Sequence, residues 1–171
     1  MEVQKLELVV GDIKGNREIA YALLVAEQPY FVNQNVIEEE GKLTIESLLT
    51  DEYYSWDKLI TMIDEEKLRH LINIGQLFHA LQDSIYTYNL SPNNLVFSRN
   101  GNPLFVFRGV KGQVPPYDVV SLDEFTVNFK AMIVSLLDKK TSYEKLIEGQ
   151  SPFYKGKLFC ETIMKAENLD E

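Results

Sequence analysis

Cysteine is nearly absent from this sequence. Cys160 stands alone among 171 residues, so no disulfide can form within the chain. The role expected of its thiol is that of a small buried apolar group in a reducing compartment. The two histidines, His70 and His79, are too far apart to share a helical face as an i, i+4 metal pair does, and no Cys–His spacing suits zinc. Structural or surface roles are expected for both. Long apolar runs are missing as well. The best, 19–26 and 132–137, fall far short of the ~20 residues needed to span a bilayer. No secretory leader precedes the alternation that starts at Val3, so the expectation is a soluble, cytoplasmic chain. Basic residues are in deficit: 17 Lys and Arg face 26 Asp and Glu, for a net charge of −9. Without a concentrated basic patch, such a surface repels a phosphate backbone, which excludes nucleic acid and weakens docking on anionic lipid. No GxxxxGK[ST] occurs, and the lone pair Gly11 and Gly15 in polar surroundings is weak support for a phosphate cradle.

What is present suits a folded core. With 45% hydrophobic, 25% charged and 11% aromatic residues, one domain or two small subdomains can form without staples. Residues 3–10 alternate as a strand, Asn16 can cap a helix over 17–28, and Pro29 ends it. Strands are expected at 30–37 and 43–49 around the turn Glu38-Glu39-Glu40-Gly41-Lys42, whose glutamates fit a solvated hairpin tip better than a metal site. The aromatic cluster Tyr53, Tyr54 and Trp56 precedes a short helix; packing is the expected role, and contact with a partner the alternative. Asp64 can cap a long helix, Glu65 and Glu66 suit its first turn, and Leu68, Leu71, Ile72, Gly75, Phe78 and Leu81, widened by Ile74, Leu77 and Ile85, mark its apolar stripe. Leu95-Val96-Phe97 and Leu104-Phe105-Val106-Phe107 then flank the hairpin signal Asn100-Gly101. Ser121-Leu122-Asp123-Glu124 fits a capping box for a helix carrying Phe125, Phe129, Met132 and Ile133. A further helix is expected from Thr141 to Gly149, an apolar segment over 153–164, and an acidic tail over 166–171.

The stretch Tyr88 to Phe97 organises the rest. Taken with the order of elements over about 17–137, it resembles a protein kinase from its first helix onward. Asn89-Leu90-Ser91-Pro92-Asn93-Asn94-Leu95 is similar to the kinase catalytic loop, and Phe107-Arg108-Gly109 falls where D-F-G is expected. Asn94 matches the magnesium-binding Asn, but Asn89 replaces the catalytic Asp, Ser91 the Lys, and Phe107 the metal-binding Asp. No Gly-rich loop or phosphate-binding Lys precedes them. An Asn amide is a poor base, and a positioned base is worth ~10²–10⁴ in rate. Phenylalanine cannot hold magnesium. Leu90, Pro92 and Leu95 are packing and turn residues, and Asn94 is expected to close its loop through backbone hydrogen bonds. No catalytic residue, cofactor or metal is assigned.

A second resemblance covers most of the chain. Asp64-Glu65-Glu66-Lys67-Leu68-Arg69-His70-Leu71-Ile72-Asn73-Ile74, the loop from Leu90, Gly101-Asn102-Pro103 with Arg108-Gly109, and Phe129-Lys130-Ala131 leading to Leu146-Ile147-Glu148-Gly149 resemble the EssB/YukC family of type VII (WXG100) secretion components. The resemblance implies a cytoplasmic pseudokinase-like domain, α+β, with a reduced N-terminal αβ lobe (1–50) and a mainly helical C-terminal lobe (51–171) forming one kinase-like unit. It implies a non-catalytic scaffold at the cytoplasmic face of the membrane, tethered by a membrane helix not included in this chain. The partners it implies are an FtsK/SpoIIIE-type ATPase, a ubiquitin-like component, WXG100 substrates and a second copy of the chain. Tyr53, Tyr54, Trp56 and the degenerate loops are the candidate contact surfaces. The alternatives are a divergent nucleotide binder or phosphotransferase using Asn94, and a generic adaptor.

Overall fold

A computed structural model describes residues 2–137. The expected helix from Thr141, the segment 153–164 with Cys160, and the acidic tail lie outside them. The fold is mixed α and β. A three-stranded antiparallel sheet is built from β1 (Glu2–Val9), β2 (Gln34–Glu39) and β3 (Lys42–Leu49) in the order β1-β3-β2. Its register runs unbroken from Glu2 opposite Leu49 to Val9 opposite Lys42. Glu40 and Gly41 turn the hairpin with φ of 50° and 78°, both in the left-handed region that a two-residue loop demands. Helix α1 (Arg17–Val25) covers the sheet, and the Asn16 side chain accepts from the Ile19 amide at its N-terminus.

The second half is held by short strands and helices. β4 (Tyr54–Ser55) pairs with β6 (Leu95–Phe97), and β6 with β7 (Pro103–Phe105). Between β4 and β6 come α2 (Trp56–Ile60), α3 (Asp64–Gly75), α4 (Leu77–Ala80) and β5 (Tyr86–Thr87). β5 pairs with β8 (Gly109–Val110), and α5 (Leu122–Leu137) lies against α3. Ser121 Oγ accepts from the Glu124 amide, as a capping serine does. One apolar cluster joins Ala20, Leu24, Leu43 and Ile45 of the first half to Leu59, Ile74, Phe97, Phe105, Phe125 and Leu136 of the second. At ~1.5–3 kcal/mol for each fully buried large side chain, this shared core ties the halves together.

Four expectations change. The strand expected at 30–37 begins only at Gln34. Tyr30 takes φ 70°, and the chain bonds β7 instead, Phe105 donating to the Tyr30 carbonyl (2.8 Å) and Val32 to that of Phe105 (3.0 Å). β7 stops at Phe105 because the next two amides are claimed by Asn94. The long helix ends near Leu81 rather than running to Ile85, and Ile63, not Asp64, stands at its N-cap. Ser84 Oγ turns the chain by accepting from Tyr86, which frees β5 to meet β8. The buried stripe of α3 is also rotated. Leu71 and Ile74 are inside with Lys67 and His70, whereas Leu68 and Ile72 are exposed. Polar partners make this rotation tolerable. Lys67 Nζ donates to the Leu136 carbonyl (3.2 Å), and His70 lies between the Glu66 carbonyl and the Tyr54 hydroxyl.

Candidate interaction site

Asn94 is 9% exposed and spends its whole carboxamide on the backbone. Its Nδ2 donates to the carbonyls of Asn89 (2.9 Å) and Phe107 (3.3 Å), and its Oδ1 accepts from the Phe107 amide (2.9 Å). Its own carbonyl takes the Val106 amide (2.9 Å). The loop at Asn89 and the one at Phe107 are thus stitched together by one side chain. Asn89 is exposed, Ser91 and Phe107 are half-buried, and no group of three or more His, Cys, Asp or Glu converges on a metal position among the described residues. Tyr88 stacks on Phe105 at 4.3 Å beneath the loop, and burial, helped by Glu124, pushes its phenol pKa up.

Arg108 is buried to 2% exposure. Its Nη2 donates to the carbonyls of Leu24 and Ala26, each at 2.6 Å, where the C-terminus of α1 leaves carbonyls without helical partners. The positive charge also suits that end of the helix dipole. Nε reaches Gln34 Oε1 (3.3 Å), and the amide of Gln34 continues to Ser47 Oγ (3.3 Å) and the Val106 carbonyl (3.2 Å). The guanidinium lies over Tyr86 (4.8 Å) and Phe31 (5.4 Å). Burial lowers its pKa, and Tyr86 offsets part of that. Gly109 follows because nothing larger fits: a Cβ there meets the carbonyl oxygens of Pro115 (2.5 Å) and Val114 (2.6 Å) and the Thr87 hydroxyl. Sequence reading placed Arg108 and Gly109 in a degenerate motif. It missed Gln34 and Ser47, which only the sheet brings to Arg108.

Beside this closed loop lies an open cleft of about 550 Å³. Tyr53, Tyr54 and Trp56 line it together with Pro92, Asn93 and Leu95 of the loop and Glu2 and Gln4 of β1. The aromatic cluster and part of the loop thus line one cleft, which Asn89, Asn94, Phe107, Arg108 and Gly109 do not. Trp56 is 7% exposed and serves mainly as its floor, whereas Tyr53 and Tyr54 are half-buried. Tyr54 stacks on Phe97 (5.6 Å) with Lys58 Nζ above its ring (5.0 Å). Burial raises the Tyr54 pKa, Arg69 pulling against it. Asp57 and Lys58 give the rim mixed charge. A second cleft of about 530 Å³ is lined by Tyr30, Asn73, Gln76, Leu77 and Leu104.

Residues 9–171 match the family model described as "WXG100 protein secretion system (Wss), protein YukC". The chain belongs to the YukC family. Among curated relatives of YukC type, it is 32% identical over 164 residues to the type VII secretion system protein EssB of Staphylococcus aureus strains USA300 and Newman. That alignment takes in 96% of this chain and 36% of the relative, so the chain spans about a third of the relatives' length. Its fold matches the crystal structure of the S. aureus EssB cytoplasmic fragment with TM-score 0.87 and 30% identity, over 97% of this chain and 93% of that one. The Geobacillus thermodenitrificans EssB cytoplasmic fragment, at TM-score 0.76 and 14% identity over 97% and 78%, shares the fold. No described helix of this YukC-family chain is long and apolar enough to cross a membrane.

Proposed function

We propose that this chain is a non-catalytic protein-interaction domain of a type VII secretion component, kinase-like in outline and held at the cytoplasmic face of the membrane by a segment outside it. The observation that carries this is the spending of Asn94. The one side chain matching a kinase metal ligand has both ends of its amide committed to backbone, and no group of three or more His, Cys, Asp or Glu converges on a metal position among the described residues. The cleft next to it offers aromatic surface and unspent polar groups, the usual makings of a contact site. Its occupants on this reading are other secretion proteins: the FtsK/SpoIIIE-type ATPase, the ubiquitin-like component or WXG100 substrates. Self-association accompanies them. Residues 1–50 and 51–171 act as one unit, the former a reduced lobe.

Co-purification with the ATPase and the ubiquitin-like protein tests this. Enrichment of at least one, weakened by Tyr53→Ala, is expected; enrichment of neither refutes the scaffold reading. Thermal denaturation with Mg-ATP addresses the divergent nucleotide binder. Occupancy at ~100 times Kd adds about 2.7 kcal/mol, so a magnesium-dependent shift of that size overturns the non-catalytic proposal.

A further inference from the structure

We propose that the free edge of β1 is a homotypic interface, along which two copies of this chain pair antiparallel about a two-fold axis at Leu6. This gives the self-association named above a surface; Glu2 and Gln4 of the same strand line the cleft, but Lys5 and Glu7, which set the register, do not.

β1 is eight residues long, lies at the edge of its sheet, and contains neither proline nor bulge. Natural edges are usually blunted by such devices or by charge, and the charges of this edge, Lys5 and Glu7, are of opposite sign and so can pair. The Val10 amide donates to the Gly41 carbonyl (2.9 Å), which sets the parity of the ladder. Even positions face β3, and the N–H and C=O groups of Val3, Lys5 and Glu7 point away from the sheet. Among the described residues, no backbone bond covers them.

Antiparallel pairing through these odd positions needs its axis on a single residue. An axis at Leu6 sets Lys5 opposite Glu7 of the second copy, and by symmetry does so twice. It sets Val3, 41% exposed, opposite Val9, 55% exposed, and Leu6 opposite itself. No like charges meet. Moving the axis to Lys5 or to Glu7 puts that residue against its own copy, which selects one register over its neighbours. The competing contact of Lys5 is loose: Glu46 lies 3.7 Å away and the lysine side chain is 62% exposed. The opposite edge offers no such symmetry. β2 carries only acidic charge, Glu38 and Glu39, and Glu38 is held by Arg17 at 2.6 Å.

Sedimentation equilibrium over a wide concentration range, with charge-swapped variants, is the test. Lys5→Glu and Glu7→Lys, each breaking two symmetric pairs, should raise the dimer dissociation constant about ten-fold or more. The double variant, restoring opposite charges, should return it to near the original value. In a Cys160→Ser background, Leu6→Cys should yield an intermolecular disulfide on mild oxidation, since the two sulfurs meet at the axis. A dimer indifferent to both single reversals overturns the proposal. So does a chain that neither dimerises nor cross-links at position 6. Lys5→Glu should leave co-purification of secretion partners unchanged, so failure of this interface and failure of the cleft are told apart.

Discussion

The loop around Asn94 and the cleft beside it share a wall, yet they treat polar groups in opposite ways. In the loop and its Arg108 junction, the Asn94 carboxamide and Arg108 Nη2 are bonded to backbone groups and Arg108 Nε to Gln34, with Arg108 Nη1 left unpartnered among the described residues. In the cleft, Asn93 and Asp57 are exposed, and Tyr53 is half-buried against Val32, Leu49, Val96 and Val106. Polar groups closed off from water need partners, because a buried unpaired group costs about 1–3 kcal/mol. On the proposed reading of the cleft as a contact surface, its exposed polar groups need none. The comparison teaches where mutation should cost stability and where it should cost binding.

The contrast is broken most directly at Arg108. Arg108→Met removes the donor shared by Leu24, Ala26 and Gln34, leaving two buried acceptors and a part-buried one, and should destabilise by about 3 kcal/mol or more in chemical denaturation. A loss below about 1 kcal/mol means the burial cost of the charge already cancelled its bonds. Asn94→Ala is expected to cost about 2 kcal/mol by unlinking the two loops, with no change in the response to Mg-ATP. Alkaline pH gives a smaller effect. Burial raises the Tyr88 pKa above its usual 10.0, and Tyr86 and Tyr54 move the same way. Their protonated forms are thus favoured by folding. That stability is complete below about pH 10 and is lost as pH rises through the folded pKa values. Tyr88→Phe should flatten the alkaline limb of a stability–pH profile; an unchanged limb rules out the contribution. Tyr53→Ala should shift stability by about 0.5 kcal/mol or less in a thermal melt. If it destabilises as much as Asn94→Ala, the cleft is packing rather than contact surface and the contrast collapses.

Much of this was legible beforehand. Alternation at 3–10, the cap at Asn16, the glycine turns at Gly41 and Gly101, and Ser121 are local signals, written in residues that touch one another along the chain. Other features were not. Tyr30 in the left-handed region contradicts its own propensity, and it is held there by β7. The rotated face of α3 could not be found from periodicity, since Lys67 and His70 count as polar until Leu136, Tyr54 and Glu66 satisfy them. The cleft was half legible: its aromatic and loop residues were each singled out, but their adjacency rests on the pairing of β4 with β6.

By itself the sequence determined most element types and family membership through an ordered set of short motifs. These depend on residue identity and near neighbours, which are present in any conformation. Only the tertiary structure decided that Asn94 is spent, that Arg108 closes α1 at Leu24 and Ala26 while Gln34 holds its Nε, and that one edge of the sheet stays open. Each of those depends on partners distant along the chain, and a side chain's bonding is settled only when burial takes its water away.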